Sequence, residues 1–111
     1  MEPRLTTDFW VRAYLRRLDL AGITAFVAAR GDETAGAVLV VVAQLDGTAR
    51  LYQRSYDLLR DTRAWVVLAD GSEAQVAEAV ARQRRMDPDL WVIEIEDRAG
   101  RSLLGEDGLS A

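Results

Sequence analysis

Three carboxylates, Glu94, Glu96 and Asp97, crowd the segment LWVIEIEDR at positions 90–98, and three arginines, Arg82, Arg84 and Arg85, stand just before it. Acids at 94 and 96 share one face of an extended strand, with Asp97 and Arg98 beyond them. Such a pair performs acid-base chemistry or grips a hard cation only where a pocket pushes the two pKa values apart. On a solvent face the same acids meet water, or arginines such as Arg50 and Arg54 across a sheet. The arginines, together with Arg16 and Arg17, have the makings of a patch for phosphate or an acidic partner. Cations in the last turn of a helix are also what its dipole favours, and no aromatic residue interleaves with Arg82, Arg84 and Arg85 to stack single-stranded bases.

The residue types that are missing exclude more. The chain has no cysteine, histidine, lysine or asparagine; all 14 of its positive charges are arginine, and its net charge is −4. This removes Cys and His zinc ligands, thiolate nucleophiles, Ser-His pairs and lysine Schiff bases. Gly31, Gly36, Gly47 and Gly71 are isolated, with no phosphate-loop or dinucleotide spacing. Asp87-Pro88-Asp89 and Gly105-Glu106-Asp107-Gly108 lack the alternating acids and distant glutamate of a calcium loop. No catalytic residue, metal site or cofactor is therefore assigned. A net negative charge argues against general nucleic-acid affinity, which comes mainly from neutralising phosphates.

The elements that must position these residues follow from periodicity. Val11, Tyr14, Leu15 and Leu18 form one stripe of a helix over 7–21, with Thr6 or Thr7 as cap and Gly22 as the left-handed stop. Trp10 lies beside that stripe and is the candidate interface residue, whereas Trp65 and Trp91 fall within strand patterns and belong to the core. Positions 23–30 and 36–45 read as two strands of a hairpin around Gly31-Asp32-Glu33-Thr34. The second strand is apolar on both faces, so a helix, a loop or a second subunit must cover each.

Asp46-Gly47 has the composition of a two-residue type I′ turn into a third strand over 48–53. Positions 55–62 show no period and are expected to be loop; a fourth strand covers 63–69. Ser72 and Gln75 make a capping box for a helix over 72–86, whose stripe of Val76, Ala79 and Val80 is thin. Pro88 sets a boundary, the fifth strand covers 90–96, and 101–104 reads as a short last strand.

The order α-β-β-β-β-α-β implies an α+β fold: a mainly antiparallel sheet of about five strands with two helices packed on it. One domain is expected over 1–104, with a flexible tail over 105–111. No apolar run is long enough for a spanning helix, and no secretory signal is evident. The cytoplasm is the expected compartment and no membrane role is expected.

FWVRAYLRR near the start, AGAVLV followed by LDGTARLY, and the closing ARQRRMDPDLWVIEIEDRAGR together resemble a group of short bacterial proteins, the domain-of-unknown-function family 1491. The resemblance covers nearly the whole chain, is most specific in DPDLWVIEIEDR, and departs from the family pattern at 55–63. It implies a single domain and brings no activity, substrate or catalytic residue. The function expected is a small non-enzymatic module that binds a protein partner or itself, homodimerisation included. The alternatives are an enzyme or small-ligand site on the acidic face of Glu94, Glu96 and Asp97, and nucleic-acid binding through Arg82–Arg85.

Overall fold

A computed structural model describes residues 5–57, 59 and 62–106. Two helices and five strands run in the order α1 (Thr7–Leu20), β1 (Thr24–Ala29), β2 (Val38–Ala43), β3 (Thr48–Asp57), β4 (Thr62–Ser72), α2 (Glu73–Met86) and β5 (Trp91–Glu96). The fold is α+β, and the sheet is mixed, with spatial order β1-β5-β2-β3-β4. Only β2 and β5 pair in parallel; the other neighbours are antiparallel.

The boundary signals act as their chemistry dictates. Thr6 accepts from the Phe9 N–H at the start of α1, and Gly22, at φ 75°, ends it while the Ile23 N–H turns back to the Leu18 carbonyl. Ser72 and Gln75 form the reciprocal capping box of α2. Asp87, ahead of Pro88, is extended and stops that helix.

The helices cover opposite faces of the sheet. Trp10, Val11, Tyr14 and Leu18 of α1 pack with Val38, Val40 and Val42 of β2 and Trp91, Ile93 and Ile95 of β5. Val76 and Ala79 of α2 pack on Leu39, Val41, Ala43, Ala49, Leu51 and Val92. All six residues of β2 are buried, so the cover that its two apolar faces require comes from this chain's own helices.

The expected β1–β2 hairpin does not form, because β5 is inserted between the two strands. Their connection must step over the entry to β5. The Asp32 N–H donates to the Asp89 carbonyl, and the Trp91 N–H donates to the Ala37 carbonyl. The backbones approach so closely that a Cβ at Gly31 would stand 2.0 Å from the Asp89 oxygen and one at Gly36 2.6 Å from it. These two glycines permit a crossing and not a hairpin turn.

Three further expectations change. The β2–β3 connection is a three-residue loop closed by the Gln44 N–H on the Thr48 carbonyl, with positive φ at Leu45 and Gly47. Asp46 spends its carboxylate accepting from the Thr48 N–H and hydroxyl instead of taking positive φ itself. Of the loop expected over 55–62, positions 55–57 belong to β3 and 62 to β4, while position 59 is a turn; positions 58, 60 and 61 lie outside the described residues. Positions 101–104 are not a strand, for both edges of β5 are already paired; Leu104 is instead buried in the core on the α1 side. Of the expected tail, 107–111 lie outside the described residues, while Arg17 holds Glu106 at 3.2 Å.

Candidate functional site

The sheet separates residues that are adjacent in sequence. Glu94 stands opposite Phe26 of β1 and Val41 of β2, and Glu96 opposite Thr24 and Ala43, on the face that carries α2. Partial burial, followed by repulsion from Glu96 and Glu73, holds the Glu94 carboxyl above its ordinary range. Asp97 falls outside this pair. It is buried and grips Arg101 through both oxygens, at 2.9 and 3.1 Å, while also accepting the Arg101 backbone N–H at 2.8 Å. Those bonds hold the Asp97 carboxyl below the usual carboxylate range. Arg98 is exposed beyond the strand. No grouping of acids fit to hold a metal ion occurs among the described residues.

The arginines expected to answer Glu94 and Glu96 serve elsewhere. Arg50 pairs with Asp70 on β4 at 3.0 Å, and the Arg54 guanidinium lies over the rings of Trp10 and Trp65, 5.1 and 5.0 Å from their centroids. Both occupy the face opposite Glu94. Trp10, the candidate interface residue, is buried in the α1-side core, stacked on Trp65 at 5.7 Å and tilted against Tyr14 at 5.0 Å.

The arginine cluster is divided as well. Arg82 reaches Glu78 at 3.6 Å, Arg84 donates to the Pro88 carbonyl, and Arg85 is exposed. Arg16 and Arg17 belong to α1 on the other side of the sheet, so they do not join Arg82–Arg85 in one patch.

The surface least expected from the sequence is the edge of the sheet at β4. This 11-residue strand pairs only with β3, leaving its other edge without a strand among the described residues. Val66, Val67 and Leu68, in its middle, are 43%, 49% and 41% exposed. A register shift between Leu51 and Tyr52 makes two residues of β4 step against one of β3, so Leu68 is an extra residue. From Ala64 to Ala69 the strand carries neither charge nor proline, two of the devices that blunt a sheet edge, and the bulge at Leu68 is the one such device in this run. The uncharged run was readable in the sequence; its edge position was not, because that depends on β5 entering the sheet between β1 and β2.

The model of the family described as "Protein of unknown function (DUF1491)" matches residues 5–105. The chain belongs to the DUF1491 family. A crystal structure of a DUF1491 protein from Caulobacter crescentus CB15 is 44% identical, with TM-score 0.85, covering 93% of this chain and 97% of that one. An NMR structure of a DUF1491 protein from the same organism is 43% identical, with TM-score 0.80 and coverage of 95% and 96%. A solution structure of a protein from A. tumefaciens is 34% identical, with TM-score 0.72 and coverage of 85% and 86%. Among curated proteins, none matches the chain. No described helix is long and apolar enough to cross a membrane.

Proposed function

We propose that this DUF1491 protein is a non-enzymatic interaction module that binds another polypeptide by strand addition at the free edge of β4, acting in the cytoplasm. The observation that carries the proposal is the run Val66-Val67-Leu68, three half-exposed apolar residues in the middle of an 11-residue strand whose outer edge has no partner strand among the described residues. An unpaired edge offers a row of backbone donors and acceptors, and a strand laid along it gains main-chain hydrogen bonds while its alternate side chains cover apolar surface on both faces. The chain's lack of cysteine, histidine and lysine supports a binding role over nucleophilic or zinc chemistry, and a cysteine-free chain suits a reducing compartment.

The test is capture from lysate of the source cell at physiological salt, with wild type, Val67→Pro and Arg85→Glu as baits. A stoichiometric protein retained by wild type and Arg85→Glu but lost by Val67→Pro is the expected result. Capture that survives Val67→Pro and is lost with Arg85→Glu would move the binding surface to the end of α2.

A further inference from the structure

Neither helix spans the whole sheet. α1 packs over β1, β5 and β2 on one face, whereas α2 packs on β2, β3 and β4 on the other. The β1–β5 end of the α2 face is therefore left without a helix. Thr24 is exposed there, and Phe26 keeps 42% of its surface open to solvent. The register sets Phe26 directly opposite Glu94 and Thr24 opposite Glu96, and side chains so paired have Cβ atoms about 4.5–5.5 Å apart. An exposed ring and two carboxylates thus share one open stretch of sheet.

The charges on this stretch have no counterpart in the chain. Among the described residues no arginine pairs with Glu94, with Glu96, or with Glu73 at the start of α2, which lies close enough to repel Glu94. Like charges gathered without a counter-ion, one of them partly buried, work against the fold. A cation laid on the face removes that repulsion, and the ring beside the acids selects which cation. A guanidinium can lie flat on an aromatic face while its N–H groups fork onto a carboxylate; an ammonium is a hydrated point charge without that fork. Glu94 and Glu96 are two positions apart on one strand, the spacing at which alternate side chains of an extended segment project.

We propose, independently of the β4 reading, that the uncovered β1–β5 end of the sheet is a second docking surface, and that its occupant is an extended polypeptide segment carrying arginines at alternate positions. One guanidinium rests on Phe26 and donates to Glu94; the next meets Glu96. The surface lies on the face opposite Arg50 and Arg54 and at the other end of the sheet from β4, so neither site needs the other.

The probe is a synthetic peptide of about ten residues alternating arginine with serine, titrated into the full chain and followed by NMR, beside the same peptide with lysine for arginine. The arginine peptide is expected to shift the amides of Phe26, Glu94 and Glu96 and to bind more tightly than the lysine peptide. The double variant Glu94→Gln/Glu96→Gln should raise its dissociation constant about fivefold or more. Because the double variant relieves repulsion, it stays folded, and its weaker binding is read as lost contact. Phe26→Leu should narrow the preference for arginine over lysine, an effect that loss of charge alone would not produce. Shifts that are absent at millimolar peptide, or that fall on 64–69 of β4 instead, overturn the proposal. So does a double variant that binds as wild type, or magnesium chloride that reproduces the same shifts at equal charge.

Discussion

The indole N–H of Trp91 donates to the backbone oxygen of Asp32 at 2.7 Å, joining the first residue of β5 to the connection that steps over it. Arg30 completes the contact, its guanidinium 4.8 Å from the centroid of the same ring. Insertion of β5 between β1 and β2 is the event that makes β4 an edge, so this bond sits at the origin of the proposed binding surface. Trp91→Phe removes the donor and the pyrrole half of a fully buried ring, and should cost about 1–3 kcal/mol. A fall in the urea midpoint at unchanged m-value would register that loss.

The same crossing sets the tolerance of its glycines. Gly31→Ala drives a methyl group into the Asp89 backbone, where neither partner is the flexible end of a side chain, and should cost about 3 kcal/mol. Gly105→Ala meets nothing within 4 Å and should stay within about 0.5 kcal/mol of wild type. Paired denaturation curves separate the two: an equal effect would mean that the connection does not pass over β5 as described.

Glu94 has a folded-state pKa raised by burial and by its neighbours Glu96 and Glu73. Its protonated form favours the fold, so that contribution is fully present below the ordinary glutamate pKa and is lost as pH rises through the raised value. Glu94→Gln, which keeps the shape without the charge, should therefore raise Tm at neutral pH and lose its advantage below about pH 4, where wild-type Glu94 is itself protonated. Thermal unfolding of both proteins across that range is the measurement; a Tm that falls at neutral pH would show that the carboxylate has a cationic partner.

Asp97 has the opposite sign. The side-chain and backbone N–H groups of Arg101 lower its folded-state pKa, so its contribution is present above the ordinary aspartate pKa and is lost as pH falls through the lowered value. Asp97→Asn should be destabilised at neutral pH, with the gap to wild type closing below about pH 4. The segment that Asp97 organises is also held by the Tyr14 hydroxyl, which donates to the Ser102 carbonyl at 2.7 Å. Proteolysis after Arg101 should therefore quicken in Asp97→Asn at neutral pH.

Local physics made much of the fold legible. The stripe of α1, the Ser72 capping box, the stop at Gly22 and the double-faced apolar pattern of β2 each depend on residues within a few positions of one another, and each has its expected structural counterpart. What was not legible depends on distant parts of the chain. Gly31 and Gly36 carry the composition of a hairpin, yet the atoms that require glycine there belong to Asp89. Glu94, Glu96 and Asp97 are adjacent in sequence, but alternation along β5 and the turn after it divide them between two environments. The apolar run of β4 reads like any buried strand until β5 takes the place beside β2 and leaves β4 at the edge.

The most direct test of binding at β4 is amide hydrogen exchange followed by NMR, with and without the polypeptide captured from lysate. Pairing through this edge predicts that the amides within 64–69 that do not bond to β3 exchange rapidly in the free protein and become protected in the complex, while α1 and α2 are unchanged. A β4 profile that the partner leaves unchanged, or protection gained instead around Arg82–Arg85 of α2, would contradict it.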